Sequence, residues 1–209
     1  MSEATHAIGD EEKGELELER PADATPVRKL GQRDGAIALA ALSLWAAADA
    51  WHATTGLQLA ALLSVFDGVV VGIVLALMAH EWGHFAGARL SGGIAPTRPL
   101  TSFFPIFALD LQRSSDRAFR AMSLGGNLGH WLVVLLLGIF VPLDAAGRIA
   151  LLAGAFGFAV AASWTELPII RRAYSGASPA ESFRGLTGRV LRRNRWIGAA
   201  AGLVLFLVL

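Results

Sequence analysis

Cysteine is the clearest absence from this sequence, which has none in 209 residues. Disulfides and thiolate metal sites are therefore excluded. Histidine is also scarce, with five residues in the chain, far fewer than a histidine-rich diiron hydroxylase or desaturase needs. We expect no cleavable secretory signal, because Met1 is followed by acidic residues rather than by a basic region and a short apolar core.

Charged residues are few, at 17% of the chain, whereas hydrophobic residues make up 54% and stand in long blocks. Apolar runs of about 18 or more residues are typical of membrane spans. Four spans are predicted, at residues 35–53, 57–90, 121–142 and 146–168. A final apolar segment, 196–209, is short for a full span. We therefore predict an all-α polytopic membrane protein with four to five transmembrane helices.

Three prolines, Pro96, Pro99 and Pro105, interrupt the stretch between the second and third predicted spans. Proline lacks a backbone donor and clashes with the preceding turn, so one continuous helix is excluded here. Residues 97–112 are expected to form either a β-hairpin or a re-entrant loop, and the periodicity does not decide between the two.

Charge divides the chain into four parts. We expect a disordered acidic cytoplasmic tail (1–34), a membrane-embedded core (35–170), a basic cytoplasmic segment (171–195) and a C-terminal apolar segment (196–209). The basic clusters fall on one side of four spans, which the positive-inside rule makes cytoplasmic. Beside a span, the arginines are expected to contact lipid headgroups rather than nucleic acid. The expected location is a bacterial or archaeal inner membrane.

The strongest chemical signal is His80-Glu81-Trp82-Gly83-His84, near the end of the second predicted span. Histidines at i and i+4 project from one helix face, close enough to share a zinc ion. The adjacent glutamate can act as general base on a water that zinc activates. In a soluble helix the pattern often marks only a solvated face, but ionisable groups in an apolar run normally mark a functional site.

A catalytic zinc site usually has three protein ligands, so the sequence must supply a third. Glu166 and His130 both lie at a depth compatible with the motif, and we rank Glu166 first. Asp110 ranks third, because its loop is of uncertain depth. Asp144 is rejected, because the predicted topology puts it on the opposite side, up to roughly 30 Å away.

These residues resemble the site-2 protease family of intramembrane metalloproteases. Residues 80–93, HEWGHFAGARLSGG, are similar to that family's HExxH helix and the turn after it. Residues 114–138 are similar to the family's glycine-rich, asparagine-containing span, with Asn127 as the matching asparagine. Residues 103–111 would correspond to the family's membrane-associated β-hairpin. The resemblance covers about residues 60–172, and its specific part is the HExxH motif.

One departure from the family concerns the third ligand. The family uses an aspartate in a Leu-Asp-Gly motif that follows Asn and Pro. Near the end of the fourth span this chain instead has Thr165-Glu166-Leu167-Pro168. Either Glu166 replaces the aspartate, or another residue is the ligand, or the chain is an inactive member of the family.

The expected function is hydrolysis of peptide bonds in transmembrane protein substrates, near the cytoplasmic side of the bilayer. Glu81 would act as general base, and Asn127 or His130 would donate a hydrogen bond to the oxyanion. A substrate strand could pair with an edge near residues 100–111. The alternatives are a membrane zinc protease of another family and a catalytically inactive membrane binding protein that retains the fold.

Small residues recur in the second and third predicted spans and would let these helices approach closely around a site. Ordinary helix packing explains them equally well. The glycines concerned are Gly83, Gly87, Gly125, Gly126 and Gly129.

Overall fold

The structure, a computed structural model, describes residues 25–209, and this part of the chain is helical with no strand. Of the disordered tail predicted for residues 1–34, residues 1–24 lie outside the described residues, whereas residues 27–34 are helical rather than disordered. Six helices follow one another along the chain. They are α1 (Val27–Thr55), α2 (Gln58–Leu90), α3 (Asp116–Phe140), α4 (Ala146–Tyr174), the short α5 (Pro179–Ser182) and α6 (Gly188–Val208).

Four of these helices, α1 to α4, are long and apolar enough to cross a membrane. The predicted helical fold and its four long apolar segments are therefore confirmed, and the described chain is consistent with an integral membrane protein. The C-terminal segment forms α6, which does not meet the same criterion of length and hydropathy.

Several helix boundaries differ from the prediction, and two of the differences have a visible physical cause. Helix α1 begins at Val27 rather than near residue 35, because Leu30 and Asp34, four residues apart on one face, are both buried. Helix α4 continues through Pro168 to Tyr174. Proline removes one hydrogen bond of the helix, but Ile169 and Ala173 beyond it are buried in a common apolar cluster.

Polar contacts tie the helices together at both ends. At one end the Arg33 side chain of α1 donates to the carbonyl oxygens of Leu100 (2.8 Å) and Ser102 (2.6 Å), in the connection between α2 and α3. At the other end, Asp49 of α1 accepts from Arg148 of α4 at 2.9 Å. The helices α1 to α4 therefore alternate in direction, and the HExxH motif lies at the Arg33 end.

The connection between α2 and α3 has no helix between Leu90 and Asp116, as the prolines predict. A β-hairpin is not seen there: the described residues contain one isolated antiparallel bridge, Thr97 to Phe107. The neighbouring bond runs from Ala108 N–H to the Pro96 carbonyl at 3.0 Å. Pro96 has no N–H to donate in return, so the ladder stays incomplete. We refer to residues 94–110 as the folded loop.

Glycines set the spacing of the long helices. On the α2–α3 contact, a Cβ on Gly83 would overlap the Gly125 carbonyl oxygen, and one on Gly87 would overlap that of Ala121. On the α2–α4 contact, a Cβ on Gly72 would overlap the Leu151 carbonyl oxygen. Backbones this close leave no room for larger residues, so these glycines pack the helices, as small residues do in membrane proteins.

Gly129 and Gly138 lie on the same helix and form a matched pair for testing the α2–α3 contact. A Cβ on Gly129 would overlap the carbonyl oxygen of Ala79, whereas one on Gly138 would meet nothing within 4 Å. Overpacking typically costs about 1–3 kcal/mol. We expect Gly129→Ala to lower the midpoint of thermal unfolding in detergent. Gly138→Ala should leave it unchanged or raise it slightly, because alanine favours helix. Equal midpoints for the two variants would contradict the contact.

Candidate metal centre

Three side chains from two helices converge at the motif end of the bundle. His80 and His84 lie one turn apart on α2, and Glu166 lies on the facing side of α4. Their ligand atoms form a nearly equilateral triangle. The distances are 3.1 Å between the two Nε2 atoms, 3.0 Å from His84 Nε2 to Glu166 Oε1, and 3.2 Å from His80 Nε2 to the same oxygen. These three residues could hold a metal ion, and we refer to them as the metal group and to their three ligand atoms as the triangle.

The triangle has the size that a small divalent cation requires. Ligand bonds of about 2.0–2.1 Å in a tetrahedral site put neighbouring ligand atoms about 3.3 Å apart. The orientation of His84 also fits. Its Nδ1 donates to the Met122 carbonyl oxygen at 2.7 Å, so Nε2 of the neutral ring keeps its lone pair for a cation. Such a bond to the second ring nitrogen is the usual support of a histidine ligand.

Glu81 projects beside the triangle rather than into it. One residue along a helix turns the side chain by about 100°, so Glu81 points away from the His80 direction on the same turn. Its carboxylate has the backbone of Ile106, in the folded loop, as a neighbour. A second carboxylate therefore stands next to the metal group without belonging to it.

Two cavities meet at this group. The helix cavity, about 990 Å³, lies between α2, α4 and α6 and is walled mostly by apolar and small side chains. The loop cavity, about 450 Å³, lies under the folded loop and is bordered by Pro105 and Phe107. His80, Glu81 and Glu166 line both cavities. The group can therefore be approached from two sides.

His130 and Asn127 lie behind the triangle and border neither cavity. His130 Nδ1 is 3.1 Å from His80 Nδ1, so His130 contacts a member of the triangle from outside it. The Asn127 Nδ2 donates to Glu166 Oε2 at 2.6 Å. The structure thus brings both residues to the site as partners of the triangle. The amide of Asn127 is turned toward the Glu166 carboxylate rather than toward a position where substrate could lie.

The other two carboxylates weighed as ligands lie elsewhere. Asp110, the last residue of the folded loop, closes the turn that follows it, where its Oδ1 accepts from the Gln112 and Arg113 amides, each at 3.0 Å. Asp144 lies at the opposite end of the bundle and pairs with Arg148 at 2.8 Å. Neither belongs to the metal group.

Sequence reasoning missed two sets of contacts. Ser163, on α4, receives a bond from Trp131 Nε1 at 2.9 Å and sits 3.1 Å from His130 Nε2. Its spacing of three residues before Glu166 was the available signal, because such residues share a helix face. The second contact is the bond from Trp82, inside the motif, to Asp34 of α1 at 2.9 Å. An aspartate at a predicted tail boundary carried no such signal.

No protein-family model, no curated protein and no solved structure matches this chain. The resemblance to the site-2 protease family therefore depends on the quoted residues alone.

Gly126 offers a test of the histidine geometry. A Cβ on Gly126 would overlap the imidazole ring of His84. We expect Gly126→Ala to push the ring away from the triangle and to weaken metal binding by about tenfold or more, the effect typical of disturbed ligand support. Metal affinity measured by chelator competition checks this, with Gly138→Ala as the control on the same helix. Unchanged affinity in Gly126→Ala would show that His84 is not held as described.

Proposed function

We propose that this protein is an intramembrane zinc peptidase of the site-2 protease type. The observation that carries the proposal is the coincidence of three features: a His80–His84–Glu166 group, a second carboxylate, Glu81, beside it, and membrane-length helices around both. Two cavities reach this point, so the group is accessible as well as enclosed. Ionisable groups inside a membrane are costly and are normally retained for function.

Zinc is the proposed metal because of the donor set. Two histidines and a glutamate are the ligands of one well-known class of catalytic zinc sites, which keep a fourth position open. In this proposal Glu166 replaces the family's aspartate. The bond from Asn127 to its second oxygen supports a single-oxygen contact with the metal, since the other oxygen is already engaged.

The chain's own residues would carry the proton steps. Zinc bound to the group would polarise the scissile carbonyl and activate a water molecule. Glu81 would take a proton from that water as its oxygen adds to the carbonyl carbon. Glu81 would then pass the proton to the amide nitrogen as the carbon–nitrogen bond breaks, so that a carboxylic acid and an amine leave. Asn127 would hold Glu166 in place rather than contact the oxyanion.

The substrate would be a segment of a transmembrane protein. A helix hides its peptide bonds in its own hydrogen bonds, so the segment must be extended where it is cut. The larger helix cavity suits such a segment, and the smaller loop cavity gives water a second approach to the group. With the arginine clusters on the motif side, the positive-inside rule makes this the cytoplasmic side.

Glu81→Gln separates binding from catalysis. The variant keeps the shape of the side chain but loses its ability to accept a proton. We expect its zinc content to equal that of the wild type and its cleavage rate to fall by about 10²–10⁴, the usual contribution of general acid–base catalysis. Asp67→Asn, a neutralised carboxylate elsewhere on α2, serves as the control. Metal analysis and cleavage of a membrane-protein reporter in liposomes provide the two measurements.

Two outcomes would contradict the proposal. Cleavage by Glu81→Gln at the wild-type rate would show that Glu81 is not the general base. Zinc binding without any cleavage by the wild type would favour a membrane binding protein with the same fold.

The third ligand is tested separately by Glu166→Ala. We expect this variant to lose most of its zinc, because the triangle would keep only two of its three donors. Elemental analysis of the purified protein checks it, again with Asp67→Asn as the control. Retention of one zinc per chain in Glu166→Ala would show that another residue is the third ligand.

A further inference from the structure

A chain of hydrogen bonds runs behind the metal group from one ligand to another. It starts at His80, passes through His130, Ser163 and Asn127, and ends at Glu166. All three intermediate side chains are buried, with 0% of His130, 7% of Ser163 and 6% of Asn127 exposed. Water therefore cannot easily replace a missing partner, and the direction of each bond follows from the donors and acceptors present.

The donor and acceptor of each bond in this chain are determined from the Glu166 end. A carboxylate only accepts, so the Asn127 amide group faces it through Nδ2, at 2.6 Å. The other end of the amide, Oδ1, then needs a donor. Ser163 Oγ lies 2.9 Å away and supplies its single hydrogen there.

The other two partners of Ser163, which are Trp131 and His130, must then donate to its hydroxyl oxygen. A hydroxyl has one hydrogen and two lone pairs. Trp131 Nε1, which can only donate, uses one lone pair at 2.9 Å. His130 Nε2, at 3.1 Å, therefore donates to the other. In the neutral ring the second nitrogen, Nδ1, is left as an acceptor.

This tautomer of His130 determines that of His80. The two Nδ1 atoms are 3.1 Å apart, so the hydrogen between them belongs to His80. His80 then carries its hydrogen on Nδ1 and directs the lone pair of Nε2 into the triangle, as a metal ligand must.

We propose that His130 is a positioning residue whose tautomer, set by Ser163, holds His80 in its metal-binding form. The inference depends on the metal site of the proposed function but not on peptidase activity. His84 obtains the equivalent support from a backbone carbonyl. His80 obtains it from a side chain, so a substitution away from the ligands can remove it.

The test compares two variants that each remove one hydrogen bond from the same hydroxyl. Ser163→Ala removes the acceptor of His130 and frees its ring to take either tautomer. Trp131→Phe removes a donor to Ser163 but leaves the direction of the chain intact. We expect Ser163→Ala to weaken zinc binding by about 10- to 100-fold, the range typical of lost support behind a ligand. Trp131→Phe should bind zinc as the wild type does.

Two further variants address His130 itself. His130→Phe keeps a planar ring without nitrogen and should weaken zinc binding at least as much as Ser163→Ala. His130→Asn places an amide oxygen near the position of Nδ1, where it can accept from His80, and should recover part of the loss. Affinity is measured by chelator competition, and the visible spectrum of the Co²⁺ form reports the ligand geometry.

Thermal unfolding of the metal-free proteins distinguishes positioning from stability. If Ser163→Ala loses zinc affinity while its metal-free midpoint matches that of Trp131→Phe, the positioning role stands. Wild-type zinc affinity in both Ser163→Ala and His130→Phe would overturn it, as would equal losses in Ser163→Ala and Trp131→Phe. A wild type that binds zinc but cleaves nothing would count against the peptidase and leave this inference intact. If the wild type binds no metal, both the proposed peptidase function and the positioning role of His130 are wrong.

Discussion

Imidazoles and carboxylates are expensive to bury, and their mutual satisfaction is the constraint on which this structure depends. Two histidine nitrogens and a carboxylate oxygen that face one another avoid repulsion only when they share a positive charge, either a proton on an imidazole or a metal ion among them. The chain supplies the remaining contacts, since His84, His130 and Glu166 each have a polar partner behind them. A bundle of apolar helices can retain such a group because these buried partners satisfy it from behind.

Close helix packing makes the group geometrically possible. The triangle joins α2 to α4, and its support comes from α3, so all three helices must meet at one depth. Gly83 and Gly125 allow the backbones of α2 and α3 to touch, and Gly126 leaves space for the His84 ring. The close packing at the glycines and the position of the histidines therefore depend on each other. Larger side chains at the glycines would separate the atoms that must lie about 3 Å apart.

The sequence predicts those features that depend on a single helix. Span lengths, the two-histidine motif and the break at the prolines follow from hydropathy, helical spacing and proline geometry. Features that depend on the rotation of one helix against another were harder to predict. Glu166 and His130 stand at similar depth, and only the packed helices separate a member of the triangle from its support. Ser163 is an ordinary serine until its three partners are known.

The folded loop links the remote end of the chain to the site. Its residues Ile106 and Phe107 pack on Phe85, so the loop covers the face of α2 that carries Phe85. Arg33 holds the loop's carbonyl groups, and Asp34, the next residue, holds Trp82 within the motif. The start of α1, which the sequence assigns to the tail, therefore helps to hold the loop in place. Because Glu81 borders this cavity as well as the helix cavity, the loop's position determines what reaches that carboxylate from one side while α6 determines it from the other.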